Sequence, residues 1–271
     1  MSNPELELAP EIDYFYSQVV DESARLSMSA DGRLELLRTQ EILRRFLPAA
    51  PARILDVGGG PGVHARWLVA DGYDVDLVDP VARHVSQAAE ICPASVGDAR
   101  ALAAGDASYD VVQLLGPLYH LPDRAERLQA LTEAVRVARP GGLVAAAAIN
   151  RYASIFEHSA LAQLQKPRLE SSVSEILRTA VYDGHRGFTL SYFHRGEELA
   201  EEMRSVGLTD VAVFGVEGPA WSMLKAVEHS SGLTPNDDLF ASVLTAARMA
   251  EPYPELLAAS SHLLAVGKAP A

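Results

Sequence analysis

Cysteine, basic residues and long apolar runs are all scarce in this chain, and each scarcity excludes something. The single Cys92 forbids an intrachain disulfide and fits a cytoplasmic address. Lysine and arginine together number 23 against 36 aspartates and glutamates, a formal net charge of −13. That balance argues against a nucleic-acid partner, whose phosphates demand a basic surface, and in favour of a small-molecule acceptor or ligand. No apolar run reaches the roughly 18 residues of a membrane span, so no membrane partner is expected. The acidic opening MSNPELELAPEIDY lacks the basic and apolar regions of an export signal. The histidines are dispersed without ligand spacing, so no metal is expected either.

What is present is a regular alternation. LELLRTQEILRRFLP carries apolar residues at helical spacing and stops at Pro48. From residue 52 onward ARILDV, DVDLVD, ASVGD, YDVVQLLG and LVAAAAI read as five strands. HARWLVADG, ARHVSQAAEI and DRAERLQALTEAVRVARPGG read as helices between them. Strands apolar on both faces and separated by helices predict an α/β fold, a doubly wound and mostly parallel sheet. Residues 151–187 read as helical with no strand, FTLSYFHR as a strand or extended edge, TDVAVFGVEG as a sixth strand and SHLLAVGK as a seventh. The expected organisation is an N-terminal helical lid over 1–50, a ligand-binding core over 51–150, a helical cap insertion over 151–187, and completion of the core over 188–271 with a helical insertion between strands six and seven. Such additions would roof the carboxyl ends of the strands, where sheets of this kind bind ligands.

The stretch ILDVGGGPGVHARWLVADGYDVDLVDP carries the chemistry. Read from Gly60, its glycine turn satisfies even the dinucleotide pattern G-x-G-x-x-A, and Asp79 stands where either a dinucleotide or a methyl-donor nucleoside presents its ribose hydroxyls. Asp56, two residues before the first glycine, argues against the dinucleotide, because a carboxylate repels a pyrophosphate and attracts an ammonium. Gly97-Asp98-Ala99 after the third strand, LLGPLYHL after the fourth and RPGG before the fifth complete the pattern.

Together these segments resemble the class I S-adenosylmethionine-dependent methyltransferases. LRT (37–39), GPLYHL (116–121), the His185-Arg186 pair, YFHR (192–195) and VEGP (216–219) are similar to a bacterial group of small-molecule methyltransferases within that class. The resemblance implies a Rossmann-like methyltransferase fold of seven strands with helical cap elements and S-adenosyl-L-methionine as cofactor. It also implies a cofactor-binding set. Asp56 would face the amino acid end, Gly58 and Gly60 the close backbone approach, and Asp79 the ribose, with Pro80 shaping the adenine face. Asp98 and Ala99 would hold the adenine, Leu115 and Gly116 the methionyl chain, and Arg38 the carboxylate, with His64 nearby.

Methyl transfer is an in-line displacement in which alignment outweighs any single base: proximity is worth about 7–11 kcal/mol, one general base about 10²–10⁴-fold. No triad is therefore expected. His120, Tyr119 and Glu217 are the candidate catalytic groups. Tyr14, Tyr16, His185, Arg186, His194 and Arg195 are the candidates for holding the acceptor. The expected activity is methylation of O, N or activated C of a small molecule, a natural-product or secondary-metabolite intermediate. A non-catalytic cofactor-binding protein and a peptide methyltransferase are the alternatives, and the expected state is a monomer or homodimer.

Overall fold

The computed structural model describes residue 26, residues 28–184 and residues 188–271. A helix, α1 (Ala30–Arg44), capped by the Ser29 hydroxyl, leads into β1 (Arg53–Val57). The alternation continues as α2 (Val63–Ala70), β2 (Asp74–Asp79), α3 (Ala82–Ala88), β3 (Ala94–Val96), β4 (Tyr109–Leu114), a 3₁₀ turn (Pro117–His120), α4 (Arg124–Val137) and β5 (Ala138–Asn150). Then come α5 (Ala153–Ala160), α6 (Pro167–Thr179), β6 (Val181–Asp183), β7 (Leu190–His194), α7 (Gly196–Ser205), β8 (Thr209–Gly215), α8 (Trp221–Ser231), α9 (Asp237–Ala250), a second 3₁₀ turn (Pro254–Ala259) and β9 (His262–Lys268).

Strands β3-β2-β1-β4-β5 run parallel, and β9 lies antiparallel to both β5 and β8, so seven strands make the expected doubly wound sheet. Strict period-two alternation divides the core between its faces. Leu55, Val57, Val112, Leu114, Val144 and Ala146 pack with Leu131, Ala134 and Met203 on one side. Ile54, Val111, Leu143 and Ala145 pack with Ile42, Leu43, Trp67 and Leu68 on the other.

Two boundaries differ from the sequence reading. Helix α4 stops at Val137, ahead of RPGG, and Ala138 already pairs with Tyr109 in the sheet. Pro140 disfavours helical backbone at Arg139 before it, which ends the helix early. Residues 151–187, read as helical segments without a strand, contain β6, a strand of three residues that exists only because β7 offers it an antiparallel edge. The resulting hairpin brings the sheet to nine strands.

The point at which the hairpin joins the sheet decides what it covers. Ile149 pairs with His262 of β9 and also with Phe193 of β7. A strand has two edges, so β7 occupies the edge that β4 holds further back along β5. The hairpin therefore continues the sheet beyond the carboxyl end of β4 and stands over the loop that leaves it.

A buried ion cluster fixes that arrangement. Arg127 of α4 donates to Glu202 of α7 at 2.7 Å through Nη2 and to the Leu121 and Pro122 carbonyls, while its guanidinium lies 3.7 Å from the Tyr192 ring centroid. His194 Nε2 lies 3.3 Å from the Glu202 carboxylate. Burial alone would raise the Glu202 carboxyl, but hydrogen bonds from His194 and Arg127 overcome it and hold the group down at about 2. Burial pushes His194 downward, so the ring is neutral.

These residues generate a stability prediction. Glu202→Leu strands a buried guanidinium and is expected to cost about 3–5 kcal/mol in urea unfolding. Because the folded-state carboxyl lies below its ordinary value of 4.5, its contribution is complete above that pH and fades as pH falls toward 2. Wild type should thus lose stability through that window more steeply than the variant.

Candidate active site

The carboxyl ends of β1, β2 and β4, the loop after β3 and the edge of β7 surround one cavity of about 300 Å³. Its walls include Asp56, Gly58, Gly60, His64, Asp79, Pro80, Asp98, Ala99, Leu115 and Gly116, ten of the eleven residues expected around a cofactor. Tyr119 and His120 line the same space.

The glycine turn is forced locally. Gly58 has φ +67°, and a Cβ there would stand 2.6 Å from Pro117 Cγ. A Cβ on Gly59 would meet the Asp56 carboxylate at 2.6 Å. The absence of side chains thus lets the turn close against the β4 loop and leaves room for the aspartate beneath it.

The two acids of the turn are treated in opposite ways. Asp56 is fully buried and neither of its carboxylate oxygens has a hydrogen-bond partner. Its neighbour across the β1–β4 pair, Gln113, is likewise buried with its amide unpartnered. Desolvation pushes the Asp56 carboxyl up to about 7; the nearby Gln113 amide opposes this and the charge of Asp79 adds to it. Asp79, by contrast, accepts from Gly60 N–H and Val81 N–H, both at 2.9 Å, and lies 3.1 Å from His84 Nδ1.

After β3, Asp98 is gripped by the Arg100 guanidinium, which also reaches Glu126. His64 Nδ1 accepts from Trp67 Nε1–H at 3.2 Å. At the far wall His120 packs edge-on against Tyr119, with ring centroids 4.6 Å apart, and lies 6.0 Å from Phe188. Its Nδ1 is 3.5 Å from the Leu190 carbonyl. Burial drives His120 down to about 4, against the pull of that carbonyl and of Asp79, so the imidazole is neutral near pH 7.

Four expected residues lie elsewhere. Arg38 is buried against Glu41 at 2.6 Å, Glu251 at 2.5 Å and the Val216 carbonyl, clamping α1 to the end of α9 rather than lining the cavity. Glu217 accepts from the Ser260 hydroxyl at 2.8 Å and His262 N–H at 2.9 Å, and sits 2.5 Å from His262 Nδ1. Those contacts hold it inside the protein, away from the cavity wall. His194 belongs to the Arg127–Glu202 cluster, and Arg195 lies at the surface paired with Glu197 and Glu198 at the start of α7. Tyr14, Tyr16, His185 and Arg186 lie outside the described residues.

The sequence reading missed Glu35, His84, Arg100 and Glu126, which also line the cavity. Glu35 and His84 occupy helical positions with no motif around them; Arg100 follows GDA directly and was the most findable of the four. Glu35, Glu217 and His262 bring ligand atoms within 4.8 Å of one another, the one such metal-like group among the described residues.

A doubly wound sheet with a glycine turn, an acid ending β2 and a cavity at the switch between β1 and β4 defines a nucleoside-binding α/β protein. The chain belongs to the methyltransferase-domain family, whose model matches residues 32–213. It is 37% identical over 105 residues to an uncharacterised methyltransferase of Mycobacterium tuberculosis, a match covering 38% of this chain and 42% of that protein. It is 35% identical over 105 residues to the 2-methyl-6-phytyl-1,4-hydroquinone methyltransferase of a Synechocystis strain, covering 36% and 32%. The matches thus span less than half of these relatives' length. Among solved structures, a SAM-dependent methyltransferase of Thermotoga maritima, described as a possible histamine N-methyltransferase, shares the fold with a TM-score of 0.59 at 18% identity, over 95% of this chain and 99% of that one.

Gly58→Ala tests the turn. The new methyl group meets Pro117 in a backbone conformation that only glycine holds without strain. The substitution should cost about 1–3 kcal/mol in chemical denaturation.

Proposed function

We propose that this protein transfers a methyl group from S-adenosylmethionine to oxygen, nitrogen or an activated carbon of a small molecule, a secondary-metabolite intermediate. One observation carries the reading: a fully buried carboxylate, Asp56, borders the cavity with no partner for either oxygen. An unpaired buried acid is costly, and a cationic ligand group relieves that cost. The methionyl ammonium of the donor is such a group, and the Gly58–Gly60 turn leaves space beside it. A pyrophosphate at the same place would meet repulsion. The residues present therefore fit the donor, with Asp79 toward the ribose and the Asp98 loop toward the adenine.

The bound donor supplies a methyl group on positively charged sulfur, already activated for displacement. The chain's own part is alignment and exclusion of water. Tyr119 and His120, on the 3₁₀ turn after β4 and covered by the β6–β7 hairpin, form the acceptor side. His120, neutral near pH 7, presents an unprotonated nitrogen that can orient a hydroxyl or amine by hydrogen bond, although burial makes it a weak base. The Synechocystis relative, named for a hydroquinone acceptor, supports a small-molecule substrate. The charge of −13 argues for the same partner over nucleic acid.

Calorimetry with S-adenosylhomocysteine and a transfer assay on a panel of phenols and amines test this. Binding should weaken as pH falls below about 7, by up to about ten-fold per unit, because a protonated Asp56 must release its proton to meet the ammonium. No binding at neutral pH, or binding indifferent to pH between 5 and 8, would contradict the role of Asp56. His120→Ala should lower turnover by about 10²-fold with donor affinity retained. The wild-type acid limb should show no inflection from His120 near its ordinary value of 6.5.

A further inference from the structure

The row of side chains that crosses the sheet at Asp56 is apolar except at its centre. In register it runs Leu77 on β2, Asp56 on β1, Gln113 on β4, Ala145 on β5 and Val266 on β9. Residues in register project from the same face of a sheet. Here Leu77, Ala145 and Val266 belong to the apolar core that also holds Trp67 and Leu68 of α2. Gln113 is fully buried in that row, and neither its amide nitrogen nor its amide oxygen has a hydrogen-bond partner. A buried amide left unpaired is costly, and a leucine would fill the strand without that cost. Two unsatisfied polar side chains therefore stand side by side, and of the two Asp56 lines the cavity.

The groups around Asp56 leave the amide a distinct task. On β2, Asp79 adds a like charge. After α3, burial pushes the Cys92 thiol up to about 11, with the charge of Asp56 adding to it, so the thiol stays neutral. His64 on α2 and Glu35 on α1 border the same cavity. Of the groups acting on the Asp56 carboxyl, Gln113 is the one that favours the ionised form, against burial and the charge of Asp79. A carboxylate has two oxygens to satisfy, and one ammonium group approaching from the cavity does not reach both sides of it. An amide N–H on the neighbouring strand is a donor for the side that faces β4.

We propose that Gln113 is a positioning residue for Asp56: its amide N–H takes one carboxylate oxygen and leaves the other for the cationic end of the donor. This rests on the reading of the cavity as a donor site, and it adds a residue that lies outside the glycine turn and acts through the acid. Without the amide, Asp56 has to ionise in an apolar row with no donor beside it, so it holds its proton to higher pH.

The test measures S-adenosylhomocysteine affinity by calorimetry between about pH 6 and about pH 8.5, and unfolding in urea without ligand, on wild type and Gln113→Met. Methionine matches the side chain in length and removes both polar atoms, so the variant should be no less stable than wild type. It should bind about ten-fold more weakly near pH 6, and the gap should close toward about pH 8.5, where the acid is ionised with or without the amide. If the methionine variant does not fold, Gln113→Leu carries the same comparison. Affinity equal to wild type at every pH would overturn the proposal. So would a loss by the same factor at every pH, with or without a drop in stability, because that is the mark of packing alone. Wild-type protein that fails to bind S-adenosylhomocysteine would instead bring down the donor reading beneath it.

Discussion

A carboxylate buried without a partner is the constraint around which this protein is arranged. Asp56 sits at the centre of a parallel sheet where water is excluded, beside an amide that is also unpaired. Nothing in the packing of the sheet requires an acid there; a valine would fill the same place at lower cost. The glycines around it make sense in that light. A side chain at Gly59 would collide with the acid, and one at Gly58 would push apart the two loops that frame it. The fold tolerates a local penalty at the wall of the cavity, and the two hydrophobic faces of the sheet supply the stability that offsets it.

Most other charged groups of the same region have partners, and the contrast with Asp56 separates them. Asp79 and Asp98 are each held by several donors, so their orientation is set in advance. Arg127, Glu202 and His194 are joined to one another and fasten α4, α7 and β7 together beneath the hairpin. Arg38 and Glu217, polar and buried, are joined to partners outside the cavity and act as clamps between elements.

The core strands and most of the residues that line the cavity were legible in the sequence because both follow local rules. A parallel strand buried on both faces reads as an apolar run, and a turn that must close tightly before a helix reads as glycines followed by an acid one strand later. Gly58, Asp79, Asp98 and Gly116 sit within such segments. Arg38, Glu217 and His194 were misplaced for a shared reason. A charged or imidazole residue in a recurring motif looks functional whether its partner is a ligand or another side chain, and the partners here, Glu251, Ser260 and Glu202, lie between 8 and 213 residues away. The strand at 181–183 was invisible because three residues carry no period. Its existence depends on β7, whose own place depends on β5. His84 and Glu35 were missed because position on a helix says which way a side chain faces only once the helix has been docked.

The hairpin of β6 and β7 touches the main sheet through just two residue pairs, Ile149 with Phe193 and Asn150 with His194. The seven strands of the doubly wound sheet are bonded to one another without it. The glycine turn and the acids ending β1 and β2 are thus built into the sheet, whereas the wall that Leu190 contributes is held by that short seam and by the Arg127–Glu202–His194 cluster. Changes in the hairpin can therefore reshape that wall while leaving the glycine turn and the acids beneath it in place.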